Sequence, residues 1–316
     1  MIKDILKRRA VNLLILLIGL IIIFGFMNKS FLSFQNIMEI TQFGAPLALL
    51  TIGEALVILL GNDGIDLSVG AMLSLSGVVF GLLVINGFNL WLSITITIIT
   101  GIVLGLINGI LMAYLKFPPM ITTLGTMYIY GSIALYLNKG LPISGFPDKF
   151  SILSQNTTLG IPNQILFVVT PIAILTYYIL HRTGTGRKMF LTGTNNQASI
   201  LATIDTKKLR CFAYSYAGLL ASIAAIIMCS WLMTAKADAG KGMEMKAITS
   251  AVLGGFSIKG GIGGVAGLML AVLIITVTSS GLQISNINSI WELGILGLML
   301  IIVVIIDEKT KGTNRR

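Results

Sequence analysis

RTGTGRKMFLTGTNNQASILATIDTKKLR, residues 182–210, is a polar island in a chain that is otherwise apolar enough to live in lipid. Arg182, Arg187 and Lys188 stand toward one end of it, and Lys207, Lys208 and Arg210 close the other. Between them Gln197, Ala198, Leu201 and Ala202 favour a short helix over 195–204. Asn195 is placed to cap its start. At helical spacing Ala198, Leu201 and Ala202 share one small apolar face. A stretch this polar lies outside a bilayer, so it fixes where the segments on either side of it end.

Composition sets the class. Hydrophobic residues make up 55 % of the 316 and charged residues 11 %, against about 25 % charged in soluble domains. So little charge cannot coat a globule, and the fold class is an all-α polytopic membrane protein. The net charge of +10 then belongs to cytoplasmic loops, and no nucleic-acid partner is implied. Cys211 and Cys229 fall in one expected helix, too far apart along it to pair, and read as packing residues.

A helix needs about 20 mostly apolar residues to cross. Long spans are expected at 11–27, 38–60, 67–86, 91–114, 120–138, 162–181, 211–232, 263–284 and 290–306. A shorter apolar run lies near 247–257. Lys3, Lys7, Arg8 and Arg9 at one terminus and Lys309, Lys311, Arg315 and Arg316 at the other place both ends in the cytoplasm. Two ends on one side require an even number of crossings, so the short run must count and the total is ten. Sixteen of the 22 Lys and Arg then lie inside, Lys116 and Lys259 among them. Lys29, Lys139, Lys149, Lys236, Lys241 and Lys246 lie outside. A short crossing has to be a broken helix sheltered within protein or beside water. The first span has a basic start, but residues 25–29 offer no small-x-small cleavage site, so it reads as a retained anchor.

Several segments carry more than packing. GNDGIDLSVG, residues 61–70, is a glycine-bearing turn. Either it is a surface turn whose Asp66 or Ser68 caps the next helix, or it lines a path with Asn62 and Asp63 facing polar cargo. Glu54 lies inside the second span, where an ionisable side chain must face the bundle interior or water. It is a path residue or a buried packing anchor. Gly101, Gly105 and Gly109 recur every four residues and let two helices approach closely, with Asn108 beside them as an interhelical hydrogen-bond partner. Gly254, Gly255, Gly260 and Gly261 stand in a dense glycine run that permits a sharp re-entrant turn. An apolar run, a turn and a small-residue span near 55–80 loosely echo those near 248–276, as in transporters built of repeats.

Hydrolytic chemistry is not expected. No G-x-x-x-x-G-K-[ST] phosphate loop occurs, so the chain is not an ATPase by itself. His181, the single histidine, reads as a helix-end residue. No metal cluster, nucleophile elbow or paired catalytic carboxylates stand out.

Three stretches taken in order, GNDGIDLSVG (61–70), TGTGRKMFLTGTNNQASILATID (183–205) and KAITSAVLGGFSIKGGIGGVAG (246–267), resemble the permease subunits of bacterial ABC importers for ribose, xylose, galactose and related sugars. The likeness runs from about 10 to 310. Autoinducer-2 uptake permeases look similar through residues 118–147. Asn62-Asp63 stand where the family has glycine, Ser199 where it has a second alanine, and Thr203 where it has glycine.

The resemblance implies one permease domain over 1–316 in the bacterial inner membrane, working as a dimer with an identical or different second permease. Its coupling loop, 182–210, would offer Asn195, Asn196, Ala198, Ser199, Leu201 and Ala202 to a separate ATP-binding-cassette ATPase, with Arg187 in the flank. An extracytoplasmic binding protein would deliver a monosaccharide or a furanose-like signal. The chain would hold no cofactor, since ATP binds the partner. Glu54, Asn62, Asp63, Asp66 and Asn108 are the expected path residues, and Gly254, Gly255, Gly260 and Gly261 the gating glycines. The alternative is a secondary transporter driven by an ion gradient through Glu54, Asp63 and Asp66.

Overall fold

Lipid offers no partner to backbone amides, so a spanning segment has to satisfy its own. The computed structural model follows that rule and describes residues 2–287 together with positions 291, 294, 295, 297, 298 and 301. Its helices are α1 (Ile2–Met27), α2 (Phe34–Leu59), α3 (Val69–Ile85), α4 (Leu90–Ala113), α5 (Pro119–Leu137), α6 (Ile152–Gln155), α7 (Thr170–Arg182), α8 (Gly184–Thr194), α9 (Asn196–Leu201), α10 (Thr206–Leu232), α11 (Met243–Leu253) and α12 (Val265–Ile284). A π-helical turn, Ile165–Val169, leads into α7. Strand is confined to two small ladders: β1 (Ile143–Ser144) with β4 (Thr234–Ala235), and β2 (Thr157–Thr158) with β3 (Ile161–Pro162).

Seven of these helical segments, α7 with its π turn among them, are long and apolar enough to cross a membrane. Of the rest, α3 is a shorter apolar helix of 17 residues, and α11 is shorter still at 11. The last expected span, 290–306, and the carboxyl-terminal basic cluster fall largely outside the described residues.

Starts are set by local chemistry. Ser33 Oγ accepts the Asn36 amide (3.3 Å) at α2, Asn89 Oδ1 the Trp91 amide (2.9 Å) at α4, and Asp205 Oδ1 the Lys208 amide (3.0 Å) at α10. These satisfy amides that a helix end leaves unpaired. Pro119 opens α5, where its missing N–H costs nothing.

The core is α2 and α10. α2 is almost wholly buried, and α10 packs on α2, α3 and α4. The α4–α10 contact is made by the expected glycines. A Cβ on Gly109 would lie 2.8 Å from Cys211 Cα, and Cβ atoms on Gly101 and Gly105 would overlap the carbonyl oxygens of Gly218 and Tyr214. In contrast, α1 exposes Ile15, Ile22 and Phe26 along an apolar flank, which suits lipid.

The loops fall into two groups. At one end, Leu59 O accepts the Gly261 amide (2.9 Å), Gly193 abuts both segments, and Lys207 covers Tyr114. At the other, Asn28 Nδ2 donates to Ile284 O (3.0 Å), β1 pairs with β4, and Ser230 Oγ donates to Phe150 O (2.6 Å). This grouping is the one the charge count assigns to the inner and outer sides. Residues 139–161, outside every expected span, form a cap at the second end with 162–164, which the expected 162–181 span had included, fastened to α3 by Phe80, Phe146 and Phe150 with ring centres 5.2–5.8 Å apart.

The short run is a half-length helix. α11 has 11 residues, about 16 Å at 1.5 Å each, roughly half of a ~30 Å hydrocarbon core. Its start is met by another broken segment. Gly81 of α3 packs against Ala235 and Ile143, whereas Gly70, eleven residues earlier, packs against Gly240 and Glu244. The 236–242 segment therefore drops about 16 Å along α3 before α11 begins.

Candidate functional site

The turn after α2 folds back into the protein. Gly61, Asn62 and Asp63 take φ of 67°, 57° and 57°, a left-handed run that Gly, Asn and Asp tolerate best. The chain then plunges inward. Glu54 Oε1 accepts the Asp66 amide (3.0 Å), and Asp66 Oδ1 accepts from the Ser68 amide (2.9 Å) and from Ser68 Oγ (2.6 Å). Asn108 Nδ2 donates to Ser68 Oγ (2.8 Å). Tyr130 hydroxyl donates to Leu104 O (3.0 Å) and lies 3.4 Å from Asn108 Oδ1. Thr123 Oγ1 donates to Ile65 O (3.1 Å).

This polar chain ties α2, α3, α4 and α5 together. Glu54, Asp66, Ser68 and Asn108 are fully buried. Their hydrogen bonds offset part of the cost of taking polar groups out of water, while Glu54 Oε2 and Asp66 Oδ2 are buried without a hydrogen-bond partner among the described residues. Of the five expected path residues, the fold thus brings together Glu54, Asp66 and Asn108. Asn62 and Asp63 stand apart, exposed at the tip of the turn. Ser68 occupies the cap position of α3 but makes no side-chain cap bond. Asp66 instead spends its carboxylate on Ser68, which differs from the capping role expected of either residue.

Three loops meet at that end. Gly61, Gly260 and Gly261 all have positive φ. A Cβ on Gly61 would lie 2.8 Å from Lys259 O, and one on Gly260 would lie 2.5 Å from Gly61 Cα. Gly193, near the end of α8, is wedged so that a Cβ would overlap Leu59 O and the Gly261 amide nitrogen. Only backbone fits here. Gly254 and Gly255 do different work: Gly254 lies under α12, where a Cβ would come 2.5 Å from Leu268 Cα, and Gly255 turns the chain with φ 108°.

The 182–210 loop holds two helices rather than the single run expected over 195–204. Thr183 Oγ1 accepts the Gly186 amide (3.2 Å) to start α8. Asn195 leaves helical geometry (φ −156°, ψ 101°), ends α8, and caps α9 by accepting the Ala198 amide (2.9 Å). On α9, Ala198 and Leu201 are exposed, Leu201 at 86 %, as are Gln197, Ile200 and the capping Ala202. Ser199 is turned inward and buried, and Asn196 is half-buried. Arg187, Lys188, Lys207 and Lys208 are exposed around it. Lys208 pairs with Asp205 (3.3 Å), whose carboxyl is held below its ordinary range chiefly by the Lys208 backbone amide.

The exposed Ala198, Leu201 and Ala202 thus share the 182–210 segment with the exposed Arg187, Lys188, Lys207 and Lys208, and Gly193 ties that segment to two glycine turns. Residues 36–304 match the family described as branched-chain amino acid transport system / permease component. The chain belongs to this family of transport permeases. It is 36 % identical over 292 residues to the Ribose import permease protein RbsC of Bacillus subtilis (strain 168), covering 92 % of this chain and 90 % of that protein. It is 35 % identical over 301 residues to the Autoinducer 2 import system permease protein LsrD of Enterobacter sp. (strain 638), with 93 % and 90 % covered. It is 32 % identical over 311 residues to the Autoinducer 2 import system permease protein LsrC of Escherichia coli (strain K12 / DH10B), with 98 % and 90 % covered. No solved structure matches.

The permease also presents polar residues that the sequence reading did not single out. On the descending 236–242 segment and the start of α11, Asp238 and Lys241 are exposed and Glu244 is half-buried, accepting the Gly242 amide (3.1 Å). Near the level of Gly70 such groups must face protein or water, not lipid. The signal for them was the shortness of the 247–257 run, since a half-helix demands a second, non-helical half.

Proposed function

We propose that this permease carries a small sugar inward, as a dimer in the bacterial inner membrane with both termini cytoplasmic. It is driven by a separate ATP-binding-cassette ATPase that seats α9 in a cleft. The observation that carries this reading is the α9 face. Ala198, Leu201 and Ala202 are apolar and exposed among the described residues, and α9 follows α8, whose Gly193 touches the turns after α2 and α11. Movement of α9 has a direct mechanical route to the helices that begin or end half-way through the bundle. The named roles of the relatives, ribose and autoinducer-2 import, supply the substrate class. An extracytoplasmic binding protein would deliver it, and ATP would bind the partner subunit.

The ion-gradient alternative fits the geometry less well. It needs Glu54, Asp63 and Asp66 around one cation or proton path. Glu54 and Asp66 are buried in a structural network, while Asp63 projects from the turn.

The test is ribose uptake by proteoliposomes holding the complete importer, with ATP on the ATPase side and ionophores present. Uptake continues with ATP and stops with a non-hydrolysable analogue. Uptake that needs an ion gradient and ignores ATP would establish the alternative.

A further inference from the structure

A cavity of about 740 Å³ opens at the end of the bundle that carries Asn286, between α2, α10, α11 and α12. Its size suits a small molecule, within the roughly 300–1,000 Å³ usual for such sites. Along α12 its lining runs from Thr276 to Asn286, about 15 Å. Its deepest charged group is Lys246, three residues into α11 and so near mid-membrane, not on the outer side where the charge count put it, because the 236–242 segment descends before α11 begins. The cavity is a funnel from the outer surface to the level where α3 and α11 begin.

The wall has a definite chemistry. Phe43 and Trp231 stand edge to face, 6.4 Å apart at 68°. The Lys246 ammonium lies 4.7 Å from the Phe43 ring centre. Gln42 and Gln283 add amides, the Gln42 Nε2 also donating to Ser154 O (3.1 Å), Ser280 adds a hydroxyl that donates to Asn36 Oδ1 (2.6 Å), and Glu39 brings a charge opposite in sign to that of Lys246. A bilayer would reject an ammonium and several amides at these depths. Water or a polar solute is the natural content. Aromatic rings beside neutral donors and acceptors, with no net charge, match a molecule that has an apolar C–H face and a rim of hydroxyls. An ionic cargo would meet a compensating charge of its own sign.

We propose that this cavity is the outer binding site of the permease and selects a neutral polyhydroxylated solute, a sugar of pentose or hexose size. This rests on the import reading above but adds where the cargo first sits and which groups hold it: Trp231 and Phe43 against its C–H face, and the Gln42 and Gln283 amides to its hydroxyls.

The test uses the full importer in proteoliposomes with radiolabelled ribose and, separately, leucine as probes. Trp231→Ala and Gln42→Ala should each raise the KM for ribose about tenfold, the loss of one or two hydrogen bonds or a stacked face. Trp231→Phe should restore most of it. In a second arm, Gln283→Cys is labelled by an impermeant maleimide without binding protein. Cys229 is buried and Cys211 belongs to the opposite end, so the new thiol reports the funnel. Ribose should slow labelling about threefold and leucine should not, a readout that holds even if the Trp231 variant fails to assemble.

If ribose is imported, but with unchanged KM in the variants and no protection, the site lies elsewhere while the import reading stands. If leucine protects and ribose does not, the funnel takes zwitterions and the proposal is wrong. If neither ribose nor galactose is imported by the unmodified complex, the import reading fails first.

Discussion

Gly193→Ala is the most informative single change. A Cβ there overlaps two backbone atoms, Leu59 O and Gly261 N, and lies 3.0 Å from Gly261 Cα. Backbone cannot rotate aside as a side chain does, so α8 must lift off the turns after α2 and α11. Overpacking of this kind costs about 1–3 kcal/mol, equivalent to roughly 5- to 150-fold on an equilibrium between two arrangements. α9 itself is untouched, so the ATPase still binds. The expected result is an importer that assembles and hydrolyses ATP but moves fewer sugars, with the ratio of ATP consumed to ribose imported raised about 5- to 150-fold. Both rates are measured together in proteoliposomes. Gly61→Ala strains the same junction from the α2–α3 turn and should shift the ratio the same way. An unchanged ratio at full rate in both variants would refute transmission through this junction.

Three further outcomes are expected. Glu54→Ala leaves the buried Asp66 amide without its acceptor, a loss of about 1–3 kcal/mol, and should lower the thermal stability of the purified permease. Asp63→Asn, at an exposed position that tolerates left-handed backbone, should leave it unchanged, and equal losses would contradict the separation of the two residues. Gly105→Leu should wedge α4 from α10 and abolish assembly, whereas Gly131→Ala, which meets nothing within 4 Å, should have no effect on detergent-solubilised yield. Impermeant maleimide applied from outside should reach cysteines placed at 148 and 238 but not at 196 or 312. Labelling of 196 from outside would invert the topology.

Most of the scaffold was legible because hydrophobic length is a direct consequence of bilayer thickness. The expected span at 91–114 is α4 at Leu90–Ala113, and that at 120–138 is α5 at Pro119–Leu137. The glycine spacing of α4 likewise identified its packing face. What escaped reading was tertiary. Thr183, Gly184 and Gly186 look like loop, yet α8 forms because Met189, Thr192 and Gly193 face the bundle. Asp66 and Ser68 look like caps, but the Glu54 carboxylate, twelve residues earlier, draws the Asp66 amide inward. The path residues were chosen as polar groups in apolar sequence, a criterion that cannot separate a buried network from an open wall. It also passed over Trp231 and Lys246, whose meaning comes from α2, α10 and α11 converging.

The central claim is that α9 is the seat of an ATPase, and Ala198→Glu tests it most directly. Ala198 is exposed, so the change should leave folding within about 0.5 kcal/mol. In a docked interface it would bury an unpaired charge, a cost of several kcal/mol. Removing Lys207 and Lys208 should matter far less, since exposed pairs contribute about 0–1 kcal/mol and Lys208 already pairs with Asp205. The measurement is co-purification of the ATPase with the permease, alongside ribose uptake by the same preparation. The account predicts a folded Ala198→Glu permease that no longer retains the ATPase and no longer imports. Full ATPase retention with full uptake would contradict it.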